Sequence, residues 1–147
     1  MDALVTGKPG EFSDAARAAI YQVGDHRCIG CGRTDLNTHH RRRRGMGGTS
    51  DRGIGHPTNG VPLCGSGTLG CHSYTHSHPA DGLLLGWNLP DDGDPLAAPF
   101  YDVRFGWRRW TLDDGFPLVE FVSAPQHAPA DRLEAMQRFH RARPILG

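Results

Sequence analysis

The chain has 147 residues, a length that suits one domain around one modest core. Hydrophobic residues make up 37% of it, against 20 glycines and 11 prolines, so a bound metal is the expected reinforcement of a small, loop-rich fold. The formal net charge of +0 excludes a uniformly basic nucleic-acid binder, but the charge is segregated: residues 26–56 carry seven arginines against two aspartates, and residues 81–121 carry three arginines against eight acids. A basic face with an acidic flank fits a chain that meets DNA on one side. No apolar run reaches the ~20 residues of a membrane span or has the form of a secretory signal. The expectation is a soluble, cytoplasmic protein, in which closely spaced cysteines are metal thiolates rather than disulfides.

In chain order, Met1 to Glu11 reads as an unstructured lead. Ser13 can cap a helix running to about Val23, with Ile20 and Val23 on one face and Gly24 as its stop. Cys28-Ile-Gly-Cys31-Gly has the form of a zinc knuckle, a tight turn that lets two thiolates meet one ion. Leu36-Asn-Thr-His39-His40 is a short strand, and Arg41 to Arg44 with Gly45-Met-Gly-Gly48 leads from it into a mobile loop. A second strand, Val61-Pro-Leu63, delivers Cys64. The glycines between Cys64 and Cys71 let the chain loop back, so Cys28, Cys31, Cys64 and Cys71 form two pairs able to close on one zinc ion. The competing reading, disulfides or free buried cysteines, is disfavoured by the missing secretory signal.

From about Leu69 to Ser77 a short helix places His72 and His76 four residues apart on one face, with Cys71 about 100° round from His72. A zinc protease also uses two helical histidines, but it needs a glutamate beside the first, and here the run is His72-Ser-Tyr-Thr-His76. The four arginines 41 to 44 are either a solvated charged loop or a set of phosphate contacts.

Over Cys28 to Pro79 the chain resembles the HNH endonucleases, whose active site is a ββα-metal unit, and more narrowly the small forms encoded by tailed bacteriophages. The likeness rests on His39-His40 at the end of a first strand, on Asn59 followed by an apolar strand and Cys64, and on Cys71-His72 opening the helix; Leu63-Cys-Gly-Ser-Gly-Thr-Leu-Gly-Cys-His72 is particularly similar to the phage subgroup. The resemblance implies that His40 is the general base and that Asn59 fixes its orientation. It also implies that His39, His72 and His76 hold a catalytic divalent ion, Mg²⁺, Mn²⁺, Ni²⁺ or Zn²⁺, beside a structural Zn²⁺ on the four cysteines. Two departures stand out: the family often has Asp where this chain has His39, and the loop from His40 to Asn59 is long and arginine-rich.

Elementary chemistry points the same way. Phosphodiester hydrolysis needs a nucleophilic water, a Lewis acid at the phosphate and stabilisation of the departing 3′ oxygen. A neutral imidazole can take the water's proton if its ring is held in the productive tautomer. Consecutive strand residues point to opposite faces, so His39 and His40 predict a strand end or a bulge. His56 and His78 are expected at the surface or against DNA.

Beyond Pro79 the likeness thins. Asp91-Asp-Gly-Asp-Pro95 is a turn or linker, and Val103 to Trp110 and Phe116 to Val122 are strands joined at Asp113-Asp-Gly115. Trp87, Trp107 and Trp110 are core residues. Asp131 to about Ala142 is a helix with Asp131 and Glu134 in a capping arrangement and Leu133, Met136 and Phe139 along one side.

These readings converge on a single α+β domain over 1–147, with an HNH nuclease core at 26–79, an N-terminal helix, and a C-terminal extension at 80–147 made of a hairpin and a helix. The expected function is a metal-dependent DNA endonuclease that nicks one strand, a hydrolase acting in phage DNA processing or packaging. Its expected partners are double-stranded DNA and phage terminase or packaging proteins, with the chain a monomer or homodimer. The alternative is a catalytically silent zinc module that binds DNA or docks onto a packaging machine. A second, histidine-based metal site favours the enzyme.

Overall fold

The computed structural model describes residues 3–5, 7–45, 49, 51–66 and 68–146. It is a mixed α+β fold. Among the described residues there are four α-helices, α1 (Asp14–Val23), α2 (Gly70–Ser77), α3 (Pro79–Leu85) and α4 (Pro129–Leu146). Five strands accompany them: β1 (Leu36–His40), β2 (Gly60–Cys64), β3 (Phe100–Asp102), β4 (Gly106–Asp113) and β5 (Phe116–Phe121). β1 and β2 form an antiparallel pair, and β3, β4 and β5 form a second antiparallel sheet in that order. No helix among the described residues is long and apolar enough to cross a membrane.

α1 begins where the Ser13 hydroxyl accepts from the Ala16 N–H, and it buries Ala16, Ile20 and Val23, one stripe at helical spacing. The expected unstructured lead is corrected by contacts farther along it. Residues Ala3–Val5 form a 3₁₀ turn, and the Leu4 carbonyl accepts from the Ser13 hydroxyl.

β1 and β2 pair in regular register, His39 opposite Val61 and His40 opposite Gly60. There is no bulge: the two histidines diverge by ordinary strand alternation, and His40 is the last residue of its strand. Pro62 has no N–H to donate, but its carbonyl accepts from the Ile29 N–H, which docks the first cysteine turn on β2. The Ile29 carbonyl in turn accepts from the Val103 N–H at the end of β3.

One continuous core joins the two sheets. Ile20, Ile29, Val61, Leu63, Tyr74, Trp87, Phe100, Trp110 and Phe139 belong to the same buried cluster, so the C-terminal residues are part of the body that supports β1, β2 and α2. The tryptophans pack as expected, and each of two buried indoles donates to a carbonyl: Trp87 to Tyr101 at 2.7 Å and Trp110 to Gly60 at 3.0 Å.

The C-terminal half differs from its sequence reading in three places. β3 and α3 are additional elements, and residues 103–105 form a turn rather than the start of a strand. α4 starts at Pro129, so Asp131 lies within its first turn and is no cap. α4 is also rotated. Ala135 and Phe139 are buried, while Leu133 is 53% exposed. Polar anchors set that rotation: Arg138 forks onto Asp81 at 2.6 Å, and Arg132 donates to the Leu84 carbonyl at 2.6 Å. The expected mobile loop falls largely on residues 46–48, which lie outside those described.

Candidate metal centres and the adjoining cleft

Cys28 and Cys31 come from the turn before β1, Cys64 from the end of β2, and Cys71 from the first turn of α2. Their sulfurs all lie within 4.8 Å of one another, with Cys31 and Cys64 at 3.4 Å. A tetrahedral zinc with Zn–S bonds of ~2.3 Å spaces its sulfurs at about 3.8 Å, so the set fits one ion. Backbone N–H groups already point at two of the sulfurs, Gly30 at Cys28 and Cys71 at Cys64. Contacts among the sulfurs split their acidities, with Cys31 pulled well below the usual thiol range, Cys64 lowered to about 7, and Cys28 and Cys71 pushed up. Four crowded thiols resist joint ionisation, and a divalent cation at their centre relieves that conflict. The cysteine cluster can hold a metal such as zinc.

His39 from β1 and His72 and His76 from α2 form a second cluster. Their ring centroids are 5.0 to 5.9 Å apart, and one ring nitrogen from each lies within 4.8 Å of the others. His39 is buried and His76 exposed. Burial is the main cause that lowers His39 to about 3 and His72 to about 4, so both rings are neutral near pH 7. His72 Nδ1 is buried without a hydrogen-bond partner, an uncompensated lone pair or N–H that a cation would satisfy if the lone pair faces it. The three imidazoles are close enough together to hold one divalent ion.

The histidine cluster lies on the wall of a cleft of about 1220 Å³, whose lining includes His40, Phe12, Arg17, Arg43 and Arg44. His40 stacks on Phe12 with centroids 4.1 Å apart and rings within 16° of parallel. Its Nε2 lies 2.7 Å from the Gly10 carbonyl. A carbonyl only accepts, so Nε2 carries the proton and Nδ1 presents the lone pair. Burial is the main influence on this ring too and lowers it to about 4.

Comparison with protein-family models, with curated proteins and with solved structures gives no match.

Asn59 occupies a different place from the one the sequence suggests. Its Oδ1 accepts from the Arg42 N–H at 2.8 Å, and its Nδ2 donates to the carbonyls of Arg42 and Ile54. It does not hold the His40 ring, a task done by Gly10 and Phe12. Asn59 instead pins the backbone just after His40, because a fully buried amide satisfies the polar groups that strand pairing leaves open there.

The arginine run also divides. Arg41 is only 1% exposed, which removes it from any ligand-binding role. It donates to the carbonyls of Gly86 at 2.9 Å, Pro95 at 3.0 Å and Ala98 at 2.7 Å, and sits over the Phe100 ring. Arg42 is tied to the Asp91 carbonyl and the Asp51 carboxylate. Arg43 and Arg44 are exposed at the cleft, Arg43 beside Asp91. His56 and His78 are turned to local work: His56 Nδ1 contacts the Thr58 hydroxyl at 2.9 Å, and His78 stacks on Tyr74.

Sequence reasoning missed Gly10, Phe12, Arg17 and Asn88. Asn88 lies 2.8 Å from His39 Nε2 across 49 residues of chain, and no spacing in the sequence signals that pairing.

Proposed function

We propose that this chain is a metal-dependent DNA endonuclease of the HNH type, with β1, β2 and α2 as its ββα-metal unit and zinc on the four cysteines. The observation that carries the reading is the division of labour among histidines in one cleft. His39, His72 and His76 converge with one ring nitrogen each within 4.8 Å of the others, while His40 stands apart with its Nδ1 lone pair free and its Nε2–H committed to Gly10. A binding module has no use for both.

His40 Nδ1 takes the proton of the attacking water, and the Gly10 carbonyl holds the ring as it becomes an imidazolium. Water oxygen bonds to phosphorus as the bond from phosphorus to the 3′ oxygen breaks. His39, His72 and His76 would hold a divalent ion, which would supply Lewis-acid stabilisation of the phosphate and the departing oxygen. Arg43 and Arg44 give sequence-tolerant phosphate contacts at the cleft. One base and one histidine cluster position one water against one phosphate, so the elementary event is a nick in duplex DNA. Phage DNA processing or packaging is the setting that the resemblance implies.

The test is supercoiled plasmid cleavage with Mg²⁺, Mn²⁺ or Ni²⁺ and a chelator control. Open circles should accumulate before linear molecules. His40→Ala should lower the rate roughly 10²- to 10⁴-fold with metal binding kept, whereas His72→Ala should weaken Ni²⁺ binding in a calorimetric titration. Equal metal loss in the two variants would sink this division of roles, and no cleavage under any metal would sink the enzyme.

A further inference from the structure

We propose that Asn88 is a positioning residue for the histidine cluster, fixing His39 as the Nε2–H tautomer so that its Nδ1 lone pair turns to the ion. The inference rests on the reading that this cluster holds a catalytic metal, and it assigns a task to the chain beyond Pro79.

The amide's own contacts decide its direction. Asn88 Nδ2 donates to the carbonyl of Thr75 at 3.1 Å and to that of Pro79 at 3.4 Å. Neither carbonyl can donate, so the NH₂ group faces them and Oδ1 faces His39. At 2.8 Å from an oxygen that only accepts, His39 Nε2 must carry the proton. Nδ1 is then the only ring nitrogen able to bind a cation. A ligand histidine whose other nitrogen is held in this way is fixed in both tautomer and ring orientation.

Asn88 is itself rigidly delivered. Its N–H donates to the Gly82 carbonyl at 3.0 Å, and the Leu89 N–H donates to the Arg41 carbonyl at 2.8 Å. Trp87 before it is fully buried, with its indole on Tyr101. A side chain at Gly82 would fall on the Asn88 amide, so glycine is required there for the amide to reach His39. The buried Arg41 guanidinium holds the Gly86 carbonyl at the start of this strap. Arg41, the residue just after β1 and two after His39, thus clamps the segment that returns to orient His39. The same amide bonds to Thr75, one residue before His76, and so registers α2 against β1.

Long-range ¹H–¹⁵N correlation spectra of the full chain, loaded with one zinc and held near pH 7, report the His39 tautomer directly. Wild type should show His39 protonated at Nε2. Asn88→Ala should show a tautomer mixture and bind Ni²⁺ at the histidine cluster roughly 10- to 100-fold more weakly, with its cysteine-bound zinc retained. Because that variant also frees two carbonyls, Asn88→Asp supplies the control: its carboxylate still accepts from His39 but cannot donate to Thr75 and Pro79. It should keep the Nε2–H tautomer and most of the Ni²⁺ affinity while melting lower than wild type. If Asn88→Ala keeps both the wild-type tautomer and the wild-type Ni²⁺ affinity, or if affinity in the two variants follows melting temperature rather than tautomer, the inference is wrong. Wild-type protein that shows the Nε2–H tautomer yet binds no Ni²⁺ would overturn the metal-site reading and this inference with it. A wild-type Nδ1–H tautomer would overturn the inference alone.

Discussion

The cysteine cluster and the histidine cluster draw on the same helix and the same strand pair, with Cys71 and His72 adjacent in sequence, yet their surroundings differ. Cys28, Cys64 and Cys71 are almost wholly buried, and Phe139 of α4 lies close against the Cys71 side. The histidine cluster offers three donors in place of four and opens on a cleft through the exposed His76. Four donors in a site that Cys31 alone leaves partly open suit an ion that holds structure, and three on an open cleft leave room for water and a phosphate. One turn of α2 separates the two chemistries, because residues 71 and 72 differ in direction by about 100° on a helix.

Breaking the cysteine site should have the larger effect. Structural zinc contributes roughly 10–16 kcal/mol of coupled binding and folding free energy in small zinc modules, against a typical domain stability of ~5–15 kcal/mol. Cys31→Ser should therefore yield a poorly soluble or molten chain without stoichiometric zinc, as read by metal analysis and near-UV circular dichroism. Wild-type melting with one full equivalent of zinc would refute the cage.

The next effect separates two neighbouring arginines. Arg41→Met leaves the carbonyls of Gly86, Pro95 and Ala98 without their guanidinium donor, at a cost of about 3 kcal/mol or more in urea unfolding. Arg43→Ala, at an exposed pair with Asp91, should change stability by less than ~1 kcal/mol. Similar losses in the two would mean that the guanidinium of Arg41 is hydrated.

A pH profile sharpens the open site further. His40 must be neutral to accept a proton, and burial lowers it to about 4, so metal-saturated cleavage should hold from pH 7 to about 5 and fall only below that. Stability follows the same sign. Below about pH 6.5 the unfolded chain binds protons that folded His39 and His40 refuse, so stability is complete above that pH and declines as the pH falls toward about 4 for His40 and about 3 for His39. An acid limb centred at 6.5 would show a solvated His40. The smallest effect is at the rim: replacing Arg43 and Arg44 together should flatten the slope of log K against log salt by up to ~1.8, about 0.9 per phosphate contact. An unchanged slope would turn that rim away from DNA.

The sequence by itself determined the candidate ligands and the short elements that carry them. Cys-x-x-Cys, the Ser13 cap, the His72 and His76 spacing and the Asp114-Gly115 turn all act through neighbours within a few residues, and local geometry follows from local spacing. Tertiary structure decided the rest. Whether Arg41 meets a phosphate or three carbonyls depends on residues 45 to 57 positions away, and a guanidinium can be buried only where such carbonyls converge. The His40 ring is held by Gly10 and Phe12 from the lead before α1, and His39 by Asn88 from beyond the motif. Asn59, expected at His40, pairs with the Arg42 backbone, because a buried amide is satisfied by whichever polar groups the folded chain brings to it. Residue type and spacing specify what can bind a metal or a proton. Only the packed chain specifies which nitrogen does so, since the tautomer of a ring is set by the partner at its far side.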